Sequence, residues 1–431
     1  MAFHRCRITF CGFFLAIIIL TLTCPSFAAD HSEWIIHDFG MAVNGAAPAG
    51  NLVADSAGNL YGTTSGGGAF CCGTVYELQR PVAPSEIWTH IILYSFANNG
   101  DGEGPTSGVI FDAAGNLYGT TGGGYSLSKG YTPPNVFKLS SPGTVGGAWT
   151  ESVLASFDAF PNGLAIDRSG ALYGTTTSGP GYNPNCPQGC GTLYKLTPPA
   201  TEGGTWTFTV LWGFGENLPG IPVIDGRGNL YGSTIAYGSG AGLVYVLIPP
   251  GTEGGNWTYR VLYDFSTTTE APLGSLKLHN NGHLYGLTGP TFNGTDAGTV
   301  FELVPPATFG GAWTKNTLHT FRGPDGAVAS GTPPSAHVIF DPAGNMYGTT
   351  EQGGHGFCYS RDHCGVVFEL SPPTASGAAW TETVLYDFPG LAGGREPAGA
   401  PIFDEHGVLY GATSGGGLNN NPGGIVYGVI K

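Results

Sequence analysis

Apolar and polar positions alternate in short runs that end in Gly- and Pro-rich stretches, and the pattern repeats along the chain. Beyond the first 29 residues no 3.6-residue helical period is sustained. One stretch sets the register: Asp112-Ala113-Ala114-Gly115-Asn116-Leu117-Tyr118-Gly119-Thr120-Thr121. Related versions begin at Asp55, Asp167, Asp225, His279, Asp341 and Asp404, and their tyrosines, from Tyr61 to Tyr410, recur every 54 to 63 residues. A period of that size marks a repeat architecture.

Each unit reads as four strands. The first is a short apolar run such as Val109-Ile110-Phe111. An Asp-x-x-Gly turn follows, in which Gly supplies a positive φ and Asp accepts backbone N–H groups. His279 replaces Asp in the fifth unit, so a looser turn is expected there. The second strand is Asn116–Thr121. A variable Gly-rich loop leads to the third, Asn135–Leu139, and a Pro–Gly loop leads to the fourth. Fourth strands run from Trp to Phe, as in Trp88–Phe96. Strict alternation puts Trp88, His90, Ile92, Tyr94 and Phe96 on one face.

Four antiparallel strands, seven times, predict an all-β, seven-bladed β-propeller with four-stranded antiparallel blades. Blades are expected near 48–96, 105–157, 161–214, 219–265, 272–321, 334–388 and 397–431. The last blade lacks a fourth strand, and the lone run Trp34–Phe39 is expected to supply it from outside. That one-plus-three closure by the N-terminal strand would remove an open sheet edge and tie the chain ends together.

Composition changes the picture in two ways. The chain of 431 residues has 74 Gly but only 10% charged residues, which suits short strands joined by Gly-rich turns. Its formal charge of −15, with no basic patch, argues against nucleic acid as a partner. The first residues form a separate object. His4, Arg5 and Arg7 precede an apolar run from Phe10 to Leu22, and Ser26-Phe27-Ala28 offers a cleavage site. The reading is a signal peptide over 1–28 and a single propeller domain over 29–431, secreted or held in the periplasm or at the cell surface. No stable membrane insertion is expected after cleavage; an anchor at Cys24 is the alternative.

The variable second-to-third loops and fourth-to-first links share one face, so a site is expected there. Candidate ligand-binding residues are Asp101, Glu103, Asp325, Glu351, His355 and His363, with Tyr125, Tyr182, Tyr237 and Phe357 as loop aromatics. Ordinary solvated loop polarity is the competing account. Six cysteines remain after export, an even count that suggests disulfides. Cys186 with Cys190, and Cys358 with Cys364, could each staple one loop. Cys71 and Cys72 are either a vicinal disulfide or two free thiols. No cofactor is expected, with two sites weighed. Alternating oxygen ligands in Asn99–Gly104 could take Ca2+, and His355, Cys358, His363 and Cys364 offer the one set of four zinc donors. The hydrolase elbow, dinucleotide fingerprint and phosphate loop are missing.

The pairing of Asp-x-x-Gly-Asn-Leu-Tyr-Gly-Thr-Thr with Gly-Thr-Val-Phe-Glu-Leu resembles the tandem units of secreted bacterial GloVer-repeat proteins, over roughly residues 34–431. The resemblance implies an exported repeat domain and carries no activity with it. Some members carry surface-anchoring tails, and none is expected after Tyr427–Lys431. The rhythm is more distantly similar to NHL, lactonase and streptogramin-lyase-type propellers, a likeness of blade architecture. Those enzymes need particular acidic, Asn or His ligands around the axis, and no such set is placed here by motif. Two functions are therefore weighed. One is a binding or interaction module for a glycan, a peptide or a cell-surface protein. The other is an extracellular metal-assisted lactonase or lyase.

Overall fold

Every repeat folds outward from its Asp-x-x-Gly turn. In the second unit, Asp112 Oδ1 accepts the backbone N–H groups of Ala114 and Asn116, both at 2.9 Å. Its Oδ2 accepts Asn116 Nδ2 at 2.7 Å and the Tyr118 hydroxyl at 2.9 Å. Gly115 takes φ 80°, which only glycine adopts without strain. One carboxylate thus ties the turn to the second strand. Burial pushes the Asp112 carboxyl up, but the hydrogen bonds from Asn116, Tyr118 and Ala114 outweigh it and hold the group below its ordinary value. The recurring aspartates are turn residues, and Asp55 and Asp341 repeat these four bonds. The fifth unit rewires. His279 Nδ1 accepts Asn281 N–H at a long 3.4 Å, and the Tyr285 hydroxyl donates instead to Glu302 at 2.8 Å.

The Gly-Thr-Thr in the second strands of blades 1, 2, 3 and 6 has three separate tasks. The Gly faces an aromatic ring on the third strand; a Cβ on Gly119 would lie 2.5 Å from Phe137 Cζ. The first Thr reaches the next blade, as Thr63 Oγ1 donates to Ser107 O at 2.7 Å and Thr349 Oγ1 to Gly399 O at 2.7 Å. The second Thr caps the third strand, as Thr176 Oγ1 meets Thr192 Oγ1 at 2.8 Å and accepts Thr192 N–H.

The computed structural model describes residues 33–431 apart from 41–42, 83–86, 127–129, 145, 178–190, 202, 215–216, 237–241, 253, 269, 291–297, 309, 323–325, 327–336, 357, 359–363, 376–377, 391–392 and 419–422. The signal-peptide reading of 1–28, and with it Cys24, lies outside them. Seven antiparallel sheets follow one another along the chain, each ordered first, second, third, fourth from the axis outward. Blade 3 is representative, with strands Pro161–Ile166, Leu172–Thr176, Thr192–Thr197 and Thr207–Gly213. In blades 1, 2, 4 and 7 the first strand is split, as at Glu103–Pro105 and Ile110–Phe111. Among the described residues no helix is long and apolar enough to cross a membrane.

Strict alternation along the fourth strand is corrected. Val75 pairs with Tyr94 but Tyr76 pairs with Ile92, so Leu93 is an extra, unpaired residue. The same slip falls at Leu154, Leu211, Leu262, Leu318 and Leu385, and at Ile36 of the N-terminal strand. A β-bulge at one fixed position bends and twists every outer strand. It also moves residues beyond it to the other face, so His90 and Tyr94 do not share the simple two-residue phase.

The expected one-plus-three closure is also corrected, because among the described residues no sheet closes on itself. Glu33–Asp38 adds antiparallel to Ile425–Val429 and becomes the outer edge of an open sheet, as every other fourth strand does. Neighbouring blades meet face to face at a spacing of about 10 Å. Ala47 N–H of blade 1 donates to Gly423 O of blade 7 at 2.8 Å, and side-chain packing completes the ring. The seven apolar clusters of the core are seams between blades, and one joins Tyr410 and Val426 of blade 7, with Phe39, to Leu52, Leu60 and Tyr76 of blade 1. Arg80 of blade 1 adds an ion pair to Asp404 of blade 7 at 3.1 Å.

Candidate functional site: an axial cavity

The first strands surround the axis, and their alternation presents two layers of side chains to it. The layer further from the Asp-x-x-Gly turns holds Asn51, Gly108, Gly163, Ile221, Ser275, His337 and Ala400, one per blade. The layer nearer the turns holds Val53, Ile110, Ala165, Val223, Lys277, Ile339 and Ile402. The repeat positions are equivalent, but the residues are not. Around blades 4 and 5 they line a cavity of about 780 Å³, with Ile110, Leu164, Ile221 and Leu276 as apolar wall and Asn51, Ser275, Lys277 and His337 as polar groups.

The polar groups of the cavity are positioned unevenly. Asn51 Oδ1 accepts Ala400 N–H at 2.8 Å, and its Nδ2 lies 3.4 Å from His337 Nδ1. This contact joins side chains 286 positions apart. Gly108 lets the first strand of blade 2 approach that of blade 1 closely, since a Cβ there would lie 2.0 Å from Asn51 O. Lys277 has no hydrogen-bond or ion-pair partner among the described residues, and burial alone lowers its pKa. Asp225 also borders the cavity, but its carboxylate is committed to Arg227, Asn229 and Tyr231 of its own turn. The cavity therefore presents a cation without a counter-ion in a chain of net charge −15.

This site opens among the Asp-x-x-Gly turns, not on the variable-loop face where one is expected. Of the loop candidates, Asp101 is buried, and its oxygens are taken by the Tyr94 hydroxyl and by the N–H groups of Ala97 and Asn99. Glu103 accepts Asn98 Nδ2 at 2.6 Å. Both residues thus shape one loop, and the Ca2+ reading of that loop would have to displace these bonds. His355 is exposed, with Nδ1 2.7 Å from Asp387 Oδ2, and Glu351 is half-buried in the same blade. The backbone of Tyr125 pairs with Tyr131 in a small hairpin. Tyr182, Tyr237, Asp325, Phe357, His363, Cys186 and Cys190 lie outside the described residues. Cys358 and Cys364 are disulfide-bonded, with Cα atoms 5.6 Å apart, so the zinc set loses two donors. Cys71 and Cys72 are free thiols. Among the described residues no three His, Cys, Asp or Glu gather closely enough to hold a metal ion.

Two buried or half-buried charged groups went unread in the sequence. Lys277 is the single charged residue in its layer, visible only when the seven repeats are aligned against one another. Glu151, on the fourth strand of blade 2, is pushed up to about 7 by burial and then by the charge of Asp101, and its Oε1 has no partner among the described residues. Its position in the repeat gave no signal.

A family described as the Gloeobacter/Verrucomicrobia repeat matches residues 26–184. No curated protein sequence matches the chain. Among solved structures, an ulvan lyase of polysaccharide lyase family PL25 is 12% identical, covering 92% of this chain and 95% of its own, with a TM-score of 0.51. The same type of lyase bound to -[GlcA(1-4)Rha3S]- is 11% identical, covering 90% and 95%, with a TM-score of 0.50. A gluconolactonase from Xanthomonas campestris is 12% identical, covering 93% and 90%, with a TM-score of 0.42. At these identities the likeness is one of fold.

Proposed function

We propose that the protein is an exported binding propeller that takes a small anionic ligand, such as an acidic sugar, in its axial cavity. One observation carries the reading: Lys277 is a half-buried cation with no partner among the described residues, beside hydrogen-bonding groups and an apolar wall. A cavity of about 780 Å³ suits a small molecule. A carboxylate would meet the Lys277 ammonium while ring hydroxyls meet Asn51, Ser275 and His337. Export is supported by the basic start and apolar run before Ala29. The alternative, a metal-assisted lactonase or lyase, lacks its donor set among the described residues.

The test is calorimetric titration with glucuronate-bearing oligosaccharides and their neutral counterparts. Acidic ligands should bind more tightly, and Lys277→Met should weaken them about tenfold or more, since a hydrogen bond to a charged group contributes about 1.5–3 kcal/mol. Lys277→Arg should retain most of the affinity. Equal binding of neutral sugars, or an indifferent Lys277→Met, would overturn the reading.

A further inference from the structure

Cys71 and Cys72 take no part in the axial cavity and are not stapled to any other cysteine among the described residues. They end the glycine-rich loop between the second and third strands of blade 1. Gly67, Gly68 and Gly73 all take positive φ there, and so does Cys71 itself, at φ 68°. A non-glycine residue in that region is held by its surroundings. Cys71 N–H reaches Gly68 O at 3.5 Å, and Gly73 N–H donates to Gly67 O at 3.0 Å. The two sulfurs lie 3.5 Å apart. Their environments differ. Cys71 is exposed, whereas Cys72 is buried against Tyr61, Val75 and Phe96, and its thiol donates to Phe70 O at 3.0 Å.

The geometry points to a redox-reactive vicinal dithiol that exchanges with small disulfides of the glutathione type, Cys71 attacking and Cys72 resolving. In the first step the Cys71 thiolate attacks one sulfur of the small disulfide. A Cys71–S–S–R mixed disulfide forms, and one RS⁻ leaves and takes up the proton Cys71 gave up. In the second step Cys72 sulfur, deprotonated, attacks Cys71 sulfur and expels the second RS⁻, which takes the proton from Cys72. Two protein thiols are oxidised to one disulfide, and one small disulfide is reduced to two thiols.

The structure assigns the order of attack. Only Cys71 is open to a bulky disulfide. Burial, then the hydrogen bond and charge of Cys71, followed by the charges of Glu103 and Asp101, push the Cys72 thiol up to about 12. Capping Cys71 removes its contribution to that rise and leaves burial, the largest cause, in place. The adjacent sulfur is then at very high effective concentration, so a mixed disulfide should not persist. Closing the ring draws the sulfurs from 3.5 Å to about 2.05 Å. That moves Cys72, whose carbonyl accepts Gly104 N–H at 2.9 Å, and so the state of the pair is passed to the loop that carries Asp101 and Glu103.

The full chain is equilibrated in mixtures of oxidised and reduced glutathione, alkylated, digested and mapped by mass spectrometry. The wild-type peptide holding both cysteines should lose two hydrogens and keep almost no glutathione. Cys72→Ala should trap glutathione at Cys71, raising the retained adduct about tenfold. Cys71→Ala, a surface change that leaves the core intact, should protect Cys72 from modification. Hydrogen exchange at the Gly104 amide should quicken in the oxidised wild-type protein. Two alkylatable thiols in wild type at the most oxidising ratio would overturn the proposal. So would uptake at Cys72 in Cys71→Ala as fast as the wild-type reaction. An unchanged Gly104 amide would overturn the coupling to the loop.

Discussion

Acid should open the seam between the last blade and the first. His37 of the N-terminal strand and His90 of blade 1 stack with ring centroids 4.2 Å apart and planes 11° from parallel. Phe39 packs edge-on against both rings and Tyr76 tilts against His90; Val426 lies across from His37 and Leu78 across from His90. Both Nε2 atoms are buried without a partner among the described residues. Burial lowers each histidine to about 4, and the charge of His90 adds to the effect at His37. The folded state thus prefers both rings neutral, while the unfolded chain protonates them near 6.5. Stability from this pair is complete above pH 6.5 and is lost as pH falls toward 4. Two shifts of 2.5 units each would amount to about 7 kcal/mol at 1.36 kcal/mol per unit. Both histidines are half-buried, and screening reduces the sum to about 2–4 kcal/mol. The assay is urea unfolding followed by tryptophan fluorescence from pH 8 to pH 4.5, with the double variant below correcting for carboxylates such as Glu151 that titrate in the same window. With a slope of about 3 kcal/mol per molar, the midpoint should fall by about 1 M across that window. The double variant His37→Phe/His90→Phe keeps an aromatic stack and removes both titrations, so its midpoint should stay nearly level. An equal fall in that variant would refute the reasoning.

Two further predictions concern the third-strand aromatics. Tyr245 is fully buried and its hydroxyl has no partner among the described residues, while blades 2, 5 and 6 carry Phe137, Phe301 and Phe368 at that place. Tyr245→Phe should therefore raise stability by about 1 kcal/mol in urea unfolding; a loss would mean the hydroxyl is satisfied. Gly119→Ala should cost about 1–3 kcal/mol through its clash with Phe137, read as a lower midpoint at unchanged slope. Phe137→Leu should recover part of that loss in the Gly119→Ala background, and no recovery would place the strain elsewhere.

Much of the architecture was legible because each blade states the same local chemistry. Asp112, Gly115, Asn116 and Tyr118 close one turn with bonds that reach no further than six residues, so sequence spacing alone exposes them. The Trp-to-Phe runs marked the outer strands to within a residue or two. The bulge at Leu93 and its equivalents stayed hidden, since an unpaired residue is defined by its partner strand and not by its own run. The bonds made by a loop carboxylate stayed hidden for a related reason. Asp101 has the composition of a ligand, yet Tyr94, Ala97 and Asn99 use its oxygens to fold the loop.

The sequence by itself determined seven equivalent units, their turns and the order of strands within each, because these depend on contacts between neighbours in the chain. The tertiary structure decided how the ring is completed and where its cavity lies. Blades meet by packing, so Tyr410 and Leu52 become neighbours only once all seven are in place. The axis likewise gathers one residue from each distant unit. Asn51 meets His337 across 286 positions, and Lys277 has no counter-ion among the described residues, the other six blades placing apolar residues in its layer. Repetition makes the blades alike, and the differences that matter are summed only at the centre they share.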